Sequence, residues 1–362
     1  MKKNYFYAQS IAVCVAILLT NTVIISGILI QPMTFDTSLL TADGQFTEKS
    51  LPKFLAQAFN QKKLTDPSFS KEACIKAKDI AKKGGYNTEQ LFLITTTCST
   101  NPASLYIVKE AKDGVGEAEK LKQVANTTKF KDIIAPKVKK GLPTLSLPLA
   151  YFSYPDKQTT HYISAMPSAK GKAMSDLAVQ YQKNKTPQNE ELLKRAFFIL
   201  GNETANFHNL FRKSSSKQLL GTVVAHGDFH LLNIFFDEIA GHTTFIDNET
   251  IALYLKQPVS PAKDICKPFY MPFNSTYDDF LETIKGINLK TWYEITLKNF
   301  VLGYAQAFPQ NQQVQVLKEL QTMFNKFELK DWVNFYDLEK VRKQYINPIF
   351  DELIKNATPK KK

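Results

Sequence analysis

Apolar and polar positions follow one another along this chain in distinct rhythms, and each rhythm predicts its own kind of element. Residues 11–30 are apolar except for Thr20-Asn21-Thr22 and Ser26, a pattern with no polar face that predicts a hydrophobic helix. Residues 90–97 (QLFLITTT) form a β-branched apolar run, and 104–109 (SLYIVK) alternate. The turn signal Ser99-Thr100-Asn101-Pro102 stands between them, so two strands are expected there. Residues 116–124 have helical spacing, with Glu117, Leu121 and Val124 on one side. Residues 160–166 (THYISAM) read as a short strand broken by Pro167-Ser168-Ala169-Lys170-Gly171. A long helix is expected over 190–211, from the series Leu192, Ala196, Leu200, Phe207 and Phe211. Three short apolar runs follow at 222–225, 234–236 and 243–246, with a turn at Ala240-Gly241 between the last two. From about 274 to 355 apolar residues recur at three- and four-residue spacing, which predicts a series of helices.

At 362 residues, 44% hydrophobic and 12% aromatic, the chain has material for two lobes with buried cores. Its formal charge is +12, but the lysines are scattered, with small clusters only at 137–140 and 360–362. No basic patch interleaved with aromatics is present, so nucleic acid is not an expected partner, and the charge reads as solubility with some attraction for nucleotide. Residues 4–35 carry no charge and follow Lys2-Lys3. The apolar stretch approaches the ~20 residues that span a bilayer. Residues 1–35 therefore read as a signal peptide or a membrane anchor, with the N-terminus inside and the body exported. Left uncleaved, the segment would make the membrane a partner. Four cysteines are too few for a disulfide scaffold. In an exported chain Cys74 and Cys98 could bridge the leading helix to the first strand, leaving Cys266 free.

Candidate chemistry is concentrated at 222–252. Asp228 and Asn233 stand five residues apart after the first apolar run, and Asp247 ends the third. This reads as strand, loop, hairpin and acidic residue. Phosphoryl transfer from a nucleotide needs such a set: one carboxylate to accept the proton of the attacking hydroxyl, and an amide oxygen with a second carboxylate for magnesium.

The motif resembles the aminoglycoside phosphotransferase and choline kinase group. It is carried by His226-Gly227-Asp228-Phe229-His230-Leu231-Leu232-Asn233 and by Ile246-Asp247-Asn248-Glu249, in order within about thirty residues. The resemblance implies an α+β, bilobal protein-kinase-like fold, with a small β-rich N-lobe at 36–165 and a larger helical C-lobe at 166–356. The hydrophobic helix precedes these lobes and a basic tail at 357–362 follows them. It implies an ATP- and Mg2+-dependent kinase acting on a small-molecule hydroxyl, with Asp228 as catalytic base and Asn233 and Asp247 as metal ligands. His226 would brace the loop, and Glu249 would support the metal or bind substrate. Lys109, set by Glu117, would grip the α- and β-phosphates, and backbone at Ala165 and Met166 would meet the purine. Asp264 falls where the group keeps an Asp that fixes the loop. One departure stands out: residues 97–101 lack the glycines of a phosphate-covering loop, and leave Ser99 and Thr100 as the groups facing phosphate.

Two other readings fit the same residues. A kinase-like module could hold nucleotide or a partner without turnover. A metal hydrolase could use His226, His230 and Asp247 as a two-His, one-carboxylate set, although Gly227 and the flanking β-rich runs argue against the helix that would align the two imidazoles.

Overall fold

The computed structural model describes residues 24–25, 28–29, 31–33, 37–42, 44–64, 66–80, 88–97, 104–111, 130, 132–137, 140–156, 159–215, 218–248, 251–270, 288–327 and 338–359. The chain is mixed α and β, with its largest sheet in the N-terminal part and most of its helix in the C-terminal part. It divides into two compact units, one of residues 1–131 with 147–168, the other of 132–146 with 169–362.

The described end of the apolar N-terminal segment is strand, not the expected helix. Here β1 (Ile24–Ile25) pairs antiparallel with β2 (Ile28–Leu29), and β3 (Gln31–Pro32) runs parallel to a later strand. Ile24, Ile25 and Ile28 are β-branched, a residue type that favours strand over helix. The start of the segment lies outside the described residues. Among the described residues no helix is long and apolar enough to cross a membrane.

The first unit is built on helix α1 (Leu51–Asn60) and the strands β4 (Ile75–Asp79), β5 (Thr88–Thr96), β6 (Ser104–Ala111), β8 (Ala150–Asp156) and β9 (Thr159–Pro167). These strands and β3 form a six-stranded sheet in the order β3-β8-β9-β6-β5-β4. The two strands expected upstream are β5 and β6, antiparallel with Leu91 opposite Lys109 and Leu93 opposite Ile107. Alternation puts Phe92, Ile94 and Thr96, then Tyr106, Val108 and Glu110, into the core. Helix α1, with Pro52 in its first turn, buries Leu51, Phe54, Leu55 and Ala58 at helical spacing. Phe54 meets Phe152 edge-on at 5.6 Å between ring centroids. Cys74, buried at the start of β4, is disulfide-bonded. Cys266 is free, and Cys98, the partner expected for Cys74, lies outside the described residues.

The second unit has a helical core. Helices α2 (Met174–Lys183) and α3 (Pro187–Asn209) come before the site, whereas α4 (Ile251–Lys256), α5 (Ala262–Ile265) and α6 (Lys267–Tyr270) follow it. The tail is α7 (Leu289–Ile295), α8 (Leu297–Gln306), α9 (Gln310–Lys326), α10 (Leu338–Val341) and α11 (Asn347–Ala357). The expected helix at 190–211 is thus α3, capped by Thr186, whose Oγ1 accepts from Asn189 N. Contact of α3 with α8 rests on two glycines. A Cβ on Gly201 would lie 2.0 Å from Phe300 O, and one on Gly303 would lie 1.9 Å from Phe198 O. Around this contact Phe197, Phe269, Trp292, Phe300 and Tyr304 are buried together.

Six short strands complete the unit: β11 (Lys213–Ser215) pairs antiparallel with β12 (Gln218–Thr222), and β7 (Thr144–Leu145), β10 (Lys172–Ala173), β13 (Ile234–Asp237) and β14 (His242–Phe245) form a sheet in the order β10-β13-β14-β7. Strands β13 and β14 are the hairpin expected from the sequence, with Ile234 opposite Phe245 and Phe236 opposite Thr243. Glu203 of α3 holds it from one side. Its carboxylate accepts from Thr243 N at 2.8 Å and from Thr243 Oγ1, and lies 2.6 Å from His242 Nδ1.

Candidate active site

The loop from His226 to Asn233 starts from the buried run Val223-Val224-Ala225 and ends where β13 begins. Gly227 sits at φ 84°, left-handed backbone that glycine adopts without steric cost. Asp264, fully buried on α5, closes the start of the loop. Its Oδ2 accepts from His226 N at 2.7 Å and its Oδ1 from Gly227 N at 2.9 Å. His208 at the end of α3 brings Nε2 to 3.0 Å from Asp264 Oδ2, and its Nδ1 lies 3.0 Å from Tyr304 Oη. Burial works to raise the Asp264 pKa, but the hydrogen bond from His208, with help from the Gly227 backbone amide, holds it below the usual carboxylate range. Burial lowers the pKa of both His208 and His226, so both are neutral near pH 7.

His226 joins the two halves of the motif. Its Nε2 is 2.8 Å from Ile246 O, and because a carbonyl only accepts, that nitrogen carries the proton. A second tie comes from Ile246 N, which donates to Asn233 O at 3.0 Å. The backbone at Asn233 is therefore fixed against the residue that precedes Asp247. Asp247 itself has φ 53°, a left-handed conformation uncommon outside glycine. Such strain persists only where the surroundings impose it, and it clusters at functional sites. Asn248 is buried beside it and donates to Ser146 O and Phe245 O.

Asp228 presents a carboxylate with 41% of its side chain exposed. Its Oδ2 accepts from Asn233 Nδ2 at 3.1 Å, and its Oδ1 from Lys267 Nζ at 2.6 Å. Asn233 Nδ2 also lies 3.0 Å from His230 Nε2, which in turn is 3.4 Å from Asp228 Oδ2. That imidazole nitrogen serves one of these neighbours at a time: bare it accepts from the amide, protonated it donates to the carboxylate. Burial pushes the Asp228 pKa up, but the hydrogen bond and charge of His230, then those of Lys267, outweigh it and hold the group far below the usual range. With Asn233 Nδ2 directed at a carboxylate, the amide oxygen is the atom left for a cation. That oxygen and the Asp247 carboxylate are hard donors of the kind magnesium takes.

The other expected residues fall in different places. Lys109 lies on β6 of the first unit, half-buried, on the sheet face opposite Val108 and Glu110. Ala165 and Met166 are buried in β9, where Ala165 O accepts from Leu149 N at 2.7 Å. Ser99, Thr100, Glu117 and Glu249 lie outside the described residues. Asp228, Asn233 and Asp247 belong together in the second unit. The three-ligand set of the hydrolase reading is not assembled: among the described residues no group of three His, Cys, Asp or Glu could hold a metal, and His226 Nε2 is engaged by Ile246 O. The sequence reading did not reach Lys267. Its one signal there is position, a helical turn beyond Asp264, whose carboxylate faces the same loop.

No protein-family model and no curated protein matches this chain. Among solved structures it is similar to amicoumacin kinase hAmiN in complex with AMP-PNP, Ca2+ and Ami. The identity is 12%, the match covers 76% of this chain and 88% of that one, and the TM-score is 0.37. At such distance function is read from the site's own side chains.

Proposed function

We propose that this chain is an ATP- and magnesium-dependent phosphotransferase that acts on a hydroxyl of a small molecule. A kinase-like fold of the aminoglycoside phosphotransferase and choline kinase group is part of the same reading. The observation that carries it is the coupling of three groups: Asp228 bonded to Asn233, Asn233 pinned through its backbone to Ile246, and Asp247 next in the chain.

The half-exposed Asp228 carboxylate meets the acceptor hydroxyl, orients its oxygen and takes its proton. A carboxylate of such low proton affinity is a weak base, which suits a loose transition state in which little charge builds on the attacking oxygen before the proton moves. Asn233 and Asp247 are the residues that would hold magnesium, which neutralises phosphate charge when bound. Asp264 and His208 keep the loop start fixed, so Asp228 is oriented before substrate arrives.

Thermal shift of the full chain with ATP, with and without Mg2+, tests the reading. Stabilisation should need both ligands and disappear in Asp247→Ala. Asp228→Asn should still bind nucleotide but lose turnover by several orders of magnitude. No response to ATP or GTP would end the proposal. A second reading is a nucleotide-binding module without turnover. It is favoured by the lysine that already occupies Asp228 Oδ1, and wild-type phosphate release from ATP would exclude it.

We also place the body of the protein in an oxidising compartment. The disulfide at Cys74 supports this, because such bonds persist where thiols are not kept reduced.

A further inference from the structure

We propose that Lys267 is the cation that receives the γ-phosphoryl group in this site. The inference rests on the phosphotransferase reading and adds a residue to it. Lys267 opens α6, one turn past Asp264, and the buried Phe269 and Tyr270 anchor the helix behind it. Its side chain is 18% exposed, and its ammonium lies 2.6 Å from Asp228 Oδ1. An ion pair with a carboxylate 41% exposed adds little to stability, so stability alone does not account for it. Asp228 is also the group that must bond the acceptor hydroxyl, and the hydroxyl and Lys267 compete for the same two oxygens.

Reach decides where the lysine goes. The attacking oxygen lies within about 3 Å of the base, and phosphorus within about 3.5 Å of that oxygen. The γ-phosphorus is therefore no more than about 7 Å from a carboxylate oxygen that Lys267 already touches. A lysine ammonium on its four-carbon stem covers that span by rotamer change. Charge in the transition state is spread over the equatorial phosphoryl oxygens, which need cations.

In the step, the acceptor oxygen bonds to the γ-phosphorus. The bond from that phosphorus to the β,γ-bridging oxygen breaks, and its electron pair leaves with ADP. The hydroxyl proton passes to Asp228. Lys267 stays protonated and hydrogen-bonds the moving group throughout.

Calorimetric titration of the full chain with ATP and with ADP, both with Mg2+, tests this, because only ATP carries the γ-phosphate. Lys267→Met should weaken ATP about 10–100-fold, the loss of one charge-assisted hydrogen bond, and change ADP less than about threefold. Lys267→Gln should behave alike, and Lys267→Arg should recover most of the ATP affinity. Equal losses for ATP and ADP, or no loss for either, would overturn the role and leave the phosphotransferase reading in place. So would a collapse of the melting temperature in both neutral variants, which would mark Lys267 as a structural lock on Asp228. Wild-type protein that binds neither nucleotide overturns both proposals.

Discussion

At the scale of single residues, the backbone of Asp247 says most about what the site is for. A non-glycine residue at φ 53° costs about 1–3 kcal/mol. Asp and Asn tolerate that region better than other side chains, whereas a β-branched residue does not. Asp247→Gly should thus leave the unliganded protein within about 1 kcal/mol of wild type, relief of strain being offset by glycine's unfolded-state entropy. Asp247→Val should cost about 2 kcal/mol or more, by chemical denaturation. Both should lose Mg2+-dependent stabilisation by ATP, and a glycine variant that keeps it would remove Asp247 from the metal site. Legibility at this scale followed the length of chain involved. Asp228, Asn233 and Asp247 could be read because a tight loop and a hairpin leave few ways to arrange their spacing. Lys267 could not, because its approach to Asp228 depends on how α5 and α6 fold back on the loop. The strain at Asp247 is a dihedral angle, to which the sequence offers no guide.

Among elements, the contact of α3 with α8 positions much of the second unit. Helix α3 carries Glu203, which holds the β13–β14 hairpin, and His208, which meets Asp264. Gly201 and Gly303 let the backbones touch, so a methyl at either position strikes a carbonyl and not a mobile side chain. Gly201→Ala is expected to destabilise by about 1–3 kcal/mol despite alanine's better helix propensity, and an unchanged urea midpoint would refute the close-contact argument. Both helices were evident from apolar periodicity. Their glycines were not marked in that way, because period alone does not tell a close crossing from a surface break. The end of the N-terminal apolar segment went the other way: a run with no polar face has no periodicity to separate helix from strand, and pairing of Ile24–Ile25 with Ile28–Leu29 decided it.

For the whole molecule, the second unit should be the acid-sensitive one. His208 and His226 are fully buried, and burial lowers their proton affinity in the folded state. The unfolded chain binds a proton on each near pH 6.5 and the folded chain does not, so this stability is complete above that pH and is lost as pH falls below it. Each histidine adds a slope of up to about 1.4 kcal/mol per pH unit. Asp264 acts in the same direction further down: its folded pKa is lowered, so its contribution is present above about pH 4 and disappears as the carboxylate is forced to protonate. Trp292 is buried in the core of the second unit, so its emission reports that unit. Urea unfolding followed by tryptophan emission should give a midpoint that is level near pH 7–8 and falls steadily below about pH 6.5. His208→Gln, which cannot take the proton, should be less stable at pH 7.5 but flatten the fall by about one histidine's share. An equally steep fall in that variant would place the acid sensitivity elsewhere and remove His208 from the account of how the loop is held.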